Sequence, residues 1–370
     1  MLFMSSPYFQ QADDLFLSAL ASIPGLGPRR LGRLREKFDG WQNAFEAGEI
    51  SWRELKIPEN SVAIWRDAKS KFVPEKLINY LSATQTYLIT PKHDKYFAGF
   101  KDLDDAPLLL YARGAWPATE SIFTVIGSRR PSNYGEIVAQ HFVPTLALNH
   151  VSIASGLATG LDKRAHELAL EANGHTIAIL GSGLDNIYPR ENIALANKIV
   201  KAGGLILSEY PPSASPLKAH FIGRNRLLAA IAQKVLILEA GLKSGSILTA
   251  RLALKLKRPL FAVPGNILND QAAGCHELLK EGASVATDAS SLLADPQLTV
   301  PDRCSEKSDL STLESDILNV IKTRNQSFQK TGADDIVFSL KLDSASVNST
   351  LSILEIKNIV RKHSGKYEIR

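Results

Sequence analysis

The central part of this 370-residue chain predicts a doubly wound α/β fold with a mostly parallel sheet, on three observations. Short apolar, β-branched runs alternate with amphipathic stretches of about ten residues between Phe123 and Val263, the rhythm of strand–helix–strand units. Nearly every apolar run then ends in Gly, Ser or Pro, as a backbone-lined groove at the carboxyl ends of parallel strands requires. Positive charge is concentrated in the same region: residues 121–290 hold 17 Lys and Arg against 12 Asp and Glu, whereas residues 1–120 hold 15 of each. With a net charge of +5, the chain hints at a polyanionic partner.

Ahead of this region, residues 12–22 have apolar positions at helical spacing and lead into Ile23-Pro-Gly-Leu-Gly-Pro-Arg-Arg-Leu-Gly-Arg-Leu34, a helix, glycine hairpin and helix. Two readings stay open. The hairpin amides with Arg29, Arg30 and Arg33 meet a nucleic-acid phosphate, or the hairpin only joins two packed helices. Ser51 to Leu81 stays helical, with Trp52, Leu55, Ile64, Trp65 and Phe72 as core residues. Strands are expected at Tyr87–Thr90 and Pro107–Tyr111, around a polar, irregular stretch. The boundary falls near residue 84, which sets a helical domain at 1–84 and the α/β domain at 85–290.

Phe123-Thr-Val-Ile-Gly-Ser-Arg-Arg-Pro-Ser132 reads as a buried strand, a tight turn and the approach to a helix beginning near Tyr134. Gly127 would admit a phosphate close to the backbone, Ser128 offers a hydroxyl, and Arg129 and Arg130 offer forked cationic donors. A plain strand-to-helix turn with solvated arginines is the competing reading. Further strands are expected at Val151–Ala154, Thr176–Leu180, Leu205–Leu207, Lys234–Glu239 and Pro259–Val263, with helices at Asp162–Glu171, Glu191–Ala202 and Ile247–Leu256. The strand ends bring Ser155-Gly156, Gly181-Ser-Gly183, Ser208-Glu209-Tyr210, Lys243-Ser244-Gly245 and Pro264-Gly265 toward the groove, and Asp162 is expected to cap the helix that it opens.

Asp288 to Leu310 is poor in large apolar residues, which places a linker at 291–310. The segment 311–370 runs helix (Leu313–Lys322), helix (Asp334–Leu340), helix (Ser346–Val360) and a β-wing from Lys366 to Arg370, the order of a winged helix. Its third helix offers Asn348, Ser349, Glu355 and Lys357, a weak base-reading set, so a protein-contact role stands beside DNA binding.

Several classes lose support. Two cysteines without C-x-x-C spacing indicate neither a disulfide framework nor a zinc site and fit a reducing cytosol. No leader pattern and no apolar run of about 18 residues is present, so a soluble, unprocessed chain is expected, with no membrane partner. There is no phosphate-binding G-x-x-x-x-G-K-[ST] loop, and Gly181-Ser-Gly183 lacks the third glycine of a dinucleotide fingerprint. Ser155, Asp162 and His166 lie close enough in sequence to suggest a triad. The serine lacks a G-x-S-x-G elbow, however, which favours a capping Asp162 and a loop-holding His166.

Assembled, these motifs resemble the bacterial DNA-processing protein A family, also called Smf proteins. The matching pieces are Val125-Ile-Gly-Ser-Arg-Arg-Pro-Ser, Ser155-Gly-Leu-Ala-Thr-Gly-Leu-Asp-Lys-Arg-Ala-His166, Gly174-His-Thr-Ile-Ala-Ile-Leu-Gly-Ser-Gly183, Tyr188-Pro189, Ser208-Glu-Tyr-Pro211, Phe221-Ile-Gly-Arg-Asn-Arg226, Ser244-Gly-Ser-Ile-Leu-Thr-Ala250 and Val263-Pro-Gly265. They span roughly residues 85 to 290. The resemblance implies a Rossmann-like domain flanked by a SAM-like or helix-hairpin-helix-like helical domain and a winged helix. It further implies a cytoplasmic, non-catalytic protein without a cofactor that binds and protects incoming single-stranded DNA during natural transformation. The protein would dimerise through the Rossmann-like domain and load the RecA recombinase onto DNA coated with single-strand-binding protein. By the same resemblance Arg129 is a phosphate contact, Lys218 and Phe221 supply a charge and a stacking contact, and Arg224, Asn225 and Lys243 line neighbouring loops. Leu161, Gly223 and Ala232 depart from the family pattern. Two other classes stay in view: a phosphoribohydrolase-like nucleotide-processing enzyme with Glu209 or Glu239 as its acid, and a nucleotide-sensing winged-helix DNA-binding regulator.

Overall fold

The structure, a computed structural model, describes residues 6–119, 121–293, 312–326, 331–340, 342–356, 359–363 and 366–369. The chain divides into two compact units, Met1–Leu298 and Thr299–Arg370.

The first unit opens with six helices: α1 (Asp13–Ala21), α2 (Pro28–Phe38), α3 (Trp41–Glu46), α4 (Glu49–Glu54), α5 (Glu59–Lys71) and α6 (Pro74–Ala83). The expected hairpin joins α1 to α2. Its turn needs Gly25 at φ +86°, and Ser61 holds it by donating to the Pro24 carbonyl at 2.8 Å. Trp52 and Trp65 stack with ring centroids 4.4 Å apart, each indole N–H donating to a carbonyl of α3, so both are core residues as the periodicity indicates. Residue 84 marks no break in packing. The helical core continues into Leu88, Tyr111, Ala178, Leu180 and Ile206 of the sheet, and Ser18 bonds the Tyr111 hydroxyl at 3.0 Å.

Nine strands form the sheet: β1 (Tyr87–Ile89), β2 (Leu110–Gly114), β3 (Ile122–Ile126), β4 (Ser152–Ser155), β5 (Thr176–Leu180), β6 (Leu205–Ser208), β7 (Lys234–Ile237), β8 (Leu260–Ala262) and β9 (Ser284–Val285). Their spatial order is β1-β2-β6-β5-β4-β3-β7-β8-β9. β1–β2 and β2–β6 pair antiparallel, and all pairs from β6 to β9 are parallel. Helices cover both faces, which is why the central strands are apolar without alternation. Along β7, Val235 and Ile237 enter the core under α10 (Lys218–Ile231), α11 (Gly245–Lys255) and α12 (Ala273–Lys280), while Leu236 enters the core under α7 (Asn133–Leu148) and α8 (Leu161–Glu171). α9 (Ile193–Lys201) lies on the α8 side beside β6, and α13 (Ala289–Leu293) packs Leu292 into the α7 core.

Most expected elements appear within two or three residues, with some corrections. The second strand runs Leu110–Gly114 rather than Pro107–Tyr111. α10 was not expected as a helix, because Gly223, Arg224 and Arg226 interrupt its apolar face while Leu227–Ile231 are buried all round. α12, β9 and α13 were also unforeseen, and Ser291–Leu293 close α13 rather than begin a linker. The rest of the expected linker, with Cys304, lies outside the described residues. Cys275 is buried and unbridged, its thiol pushed up to about 11 by burial.

In the second unit, α14 (Thr312–Gln326), β10 (Thr331–Gly332), α15 (Ala333–Leu340), α16 (Ser344–Ile356), β11 (Val360–His363) and β12 (Lys366–Ile369) surround Ile317, Ile336, Leu351 and Tyr367. The sheet order is β10-β12-β11. α16 stops before the expected Val360, which instead opens β11. Asn348, Ser349 and Glu355 are exposed on α16, and Lys357 lies outside the described residues.

Candidate functional site

The sheet reverses its winding at β3: β4, β5 and β6 follow on one side, β7, β8 and β9 on the other. At such a switch point two neighbouring strand-to-helix turns diverge and leave a crevice. Here it is a cavity of about 840 Å³, walled by the turn after β3, the loop after β7 that opens α11, and the first turns of α10.

The β3 turn is built from beneath. A Cβ on Gly127 would lie 2.4 Å from Leu161 Cδ1, so this glycine admits the start of α8, a packing demand rather than the phosphate approach expected from sequence. Ser128 is buried; its hydroxyl accepts from the Arg130 amide at 3.1 Å and donates to Gln271 Oε1 at 3.3 Å. Ser132 caps α7, accepting from the Gly135 amide. The Ser132 amide donates to Glu239 Oε2 at 2.8 Å and its hydroxyl donates to Oε1 of the same buried carboxylate. With the turn tied at both ends, Arg129 and Arg130 stand exposed on the cavity wall.

Opposite, α10 brings in Lys218, Phe221 and Asn225, and the α11 loop brings in Lys243, Ser244 and Gly245. Ser244 is the N-cap of α11, accepting from the Ser246 amide, and Gly245 has open space around its Cα. Phe221 lies against Gly181, where a Cβ would come within 2.5 Å of its ring. It also pairs with Tyr188, ring centroids 5.5 Å apart, which is half-exposed on the same wall. Arg129, Arg130, Lys218 and Lys243 have no acidic partner among the described residues. Their charge is free for an anionic ligand, within the attractive range of two helix starts.

Other expected site residues stand behind the wall. Ser155 is fully buried and donates to the Val125 carbonyl at 2.6 Å. Gly156 lacks a side chain because Arg224 Nη1 and Nη2 and Asp162 Oδ2 would all lie 2.6 Å from a Cβ there. Arg224 borders the cavity yet is 3% exposed. Its Nη1 donates to the Gly156 carbonyl at 2.7 Å and to the Ile179 carbonyl, so it clamps the ends of β4 and β5. Burial lowers its pKa to about 10, which leaves it cationic at neutral pH beside Asp162. Asp162 is not the helix cap that sequence reasoning assigned. Gly160, at φ +73° with Ser128 O only 2.3 Å from where a Cβ would be, is the N-cap, and Asp162 accepts from the Gly156 amide at 3.2 Å.

The triad alternative has no geometry to stand on. Ser155 is bonded to a carbonyl, while His166 Nδ1 meets Thr176 Oγ1 at 2.7 Å. Because that hydroxyl donates to the Ile153 carbonyl, the histidine donates to it. Burial and the Arg224 charge push the His166 pKa down to about 3. The two acids of the enzyme alternative are engaged as well. Both oxygens of Glu209 accept from Arg226 Nη2 at 2.8 Å, and Glu239 holds Ser132. Sequence reasoning left Tyr188 and Gln271 without a role. Tyr188 was recoverable as an aromatic at a strand's carboxyl end, whereas Gln271 reaches Ser128 from 143 residues away and carries no local signal.

The model of a family described as DNA recombination-mediator protein A matches residues 87–297. Protein Smf of Escherichia coli (strain K12) is 39% identical over 224 residues, which are 60% of this chain and 60% of that relative. The DNA processing protein DprA of Streptococcus pneumoniae is 39% identical over 203 residues, 55% of this chain and 71% of the relative. An X-ray structure of DNA processing protein A from Streptococcus pneumoniae aligns with TM-score 0.63 at 31% identity, over 76% of this chain and 97% of that one. The same protein of Helicobacter pylori, whose structure was described for its single-stranded DNA binding mode, aligns with TM-score 0.51 at 35% identity over 57% of this chain and 95% of that one.

Proposed function

Because the chain belongs to the DNA recombination-mediator protein A family, a family of DNA-binding mediators rather than enzymes, we propose that the cavity at the β3/β7 switch point binds single-stranded DNA. The observation that carries this is the set of four cations without an acidic partner among the described residues, Arg129, Arg130, Lys218 and Lys243, around the Phe221–Tyr188 ring pair. Sequence-independent strand binding needs those two parts, phosphate-neutralising charge and aromatic faces for bases. Ser128, Asn225, Ser244 and Gly245 complete the wall. Ser155, Gly156 and Arg224 act from behind it, by holding the turns in place.

We extend the proposal to the protein's wider role: protection of incoming DNA and loading of the RecA recombinase onto strands covered by single-strand-binding protein, by a cytoplasmic homodimer. The Helicobacter pylori structure, described for its single-stranded DNA binding mode, supports the strand-binding step alone. No described helix is long and apolar enough to cross a membrane. Residues 311–370 are read as a winged helix on the strength of their helix and strand order and the β10-β12-β11 sheet, and residues 1–84 as a helix-hairpin-helix-like domain on the strength of α1 and α2.

The test is fluorescence anisotropy of labelled oligo-dT over a salt series, with a duplex of equal length as control. Wild type should prefer the single strand. Arg129→Ala should bind more weakly, with a log–log salt slope shallower by about 0.7 for one lost phosphate contact. Equal affinity for both nucleic acids, or an unchanged slope, would count against the proposal.

A further inference from the structure

The first turns of α10 have a second side. Lys218, Phe221 and Asn225 border the cavity described above, while Leu217, His220 and Gly223 border a neighbouring cavity of about 500 Å³. Spacing of three to four residues puts each set on its own stripe of the helix. The far wall of the second cavity is the α1–α2 hairpin with the loop after β6, where the Tyr210 ring stacks on His220 at 3.8 Å and 20°. Leu217 precedes α10 as an N-cap without a side-chain hydrogen bond, so the first amides of the helix and Lys218 sit on the crest between the two cavities.

We infer that a strand held in the first cavity crosses this crest and that the second cavity receives the base of a flanking nucleotide. The inference rests on the single-stranded DNA reading above and adds a second subsite to it. Continuity is the first argument: one helical turn separates the subsites, and Leu217 on that turn is 55% exposed, an apolar side chain beside the cavity mouth. Charge is the second. Arg226 is the cation of the second cavity, and it is matched by Glu209 at 2.8 Å and Asp105 at 3.0 Å, two carboxylates against one guanidinium. A phosphate is repelled there, whereas a neutral flat ring finds Leu26, Leu31 and Leu109 to pack against. The phosphates therefore stay on the crest with Lys218. Shape is the third. A Cβ at residue 223 would meet the Tyr210 hydroxyl at 3.0 Å and nothing else within 4 Å, so a larger side chain there has to push that hydroxyl back by a few tenths of an ångström and otherwise projects into the cavity.

Filling the cavity from that position tests the inference, since replacing a mid-helix glycine by alanine or leucine favours the helix itself. Affinities of wild type, Gly223→Ala and Gly223→Leu are measured against a ladder of oligo-dT lengths. The advantage of long over short oligonucleotides should shrink in that order, by about tenfold in Gly223→Leu, the worth of one stacked base, with the salt slope unchanged. A long-to-short ratio equal to wild type in Gly223→Leu overturns the second subsite, and so does a shallower salt slope, because it would mean that a phosphate occupied the cavity. Should Gly223→Leu fail to fold, 2-aminopurine walked along the oligonucleotide on wild-type protein decides. A fluorescence change at positions that Phe221→Ala leaves untouched supports the subsite, and its absence overturns it. Loss of all dependence on Arg129 would remove the first cavity as well, whereas a failure confined to Gly223 leaves that cavity standing.

Discussion

Arg129 and Arg224 border the same cavity and lie close enough for each charge to act on the other, but they stand on opposite sides of its wall. Arg129 is exposed and has no acidic partner among the described residues. Arg224 is almost wholly buried, with carbonyls on Nη1 and the Asp162 carboxylate nearby. A cation already desolvated and engaged by buried carbonyls adds little attraction for a strand, and one left in water with no acidic partner adds more. The outer cations therefore suit ligand charge, while the inner guanidinium, bonded to the Gly156 and Ile179 carbonyls, suits the fixed geometry of the turns that present it. Residue type alone, and even position within a motif, does not separate these roles.

The comparison is most exposed to failure at Arg224. Arg224→Ala releases the buried Gly156 and Ile179 carbonyls and removes the positive charge nearest Asp162, so a loss of about 2–5 kcal/mol is expected in denaturant unfolding, at about 1–3 kcal/mol for each buried group left unsatisfied. Arg224→Lys should recover only part of it, because an ammonium cannot reproduce the forked donors. Wild-type stability combined with weakened DNA binding in Arg224→Ala would move this residue to the outer set. At neutral pH His166, the other buried group beside Arg224, has no such effect, and its test lies in acid. Its pKa of about 3 lies below its ordinary value of 6.5, so unfolding takes up a proton between those limits. The stability it confers is complete above pH 6.5 and is lost as pH falls toward 3. His166→Asn should flatten that acid limb by about one proton, or about 1.4 kcal/mol per pH unit. An identical acid limb would show that His166 is accessible to protonation in the folded state. The smallest effect belongs to Arg129→Ala, which should leave unfolding free energy within about 0.5 kcal/mol of wild type while it weakens strand binding. A larger stability loss would erase the contrast with Arg224.

Much of this arrangement was legible from the residues. Two-faced burial makes parallel strands continuously apolar, so Phe123–Ile126, Thr176–Leu180 and Lys234–Ile237 announced themselves, and the small residues after them marked where a ligand would lie. Arg129 and the Lys243 loop were read from the strand ends and Lys218 and Phe221 from the family resemblance, and all four meet around one cavity. The failures share a cause. α10 escaped notice because its polar half faces two cavities and its apolar half is buried on every side, which removes the single apolar stripe that announces a surface helix.

The amino-acid sequence by itself determined the doubly wound class, the end of the sheet that carries the candidate site and the cations available to it, because hydrophobic period and turn chemistry are local properties of a chain. Which serine, glycine or arginine faces the cavity was decided only by tertiary structure. Gly127 answers to Leu161, Gly156 to Arg224 and Asp162, and Ser132 to Glu239, partners between 6 and 107 residues away along the chain. Solvent access, which separates a free charge from an engaged one, exists only once those segments have packed.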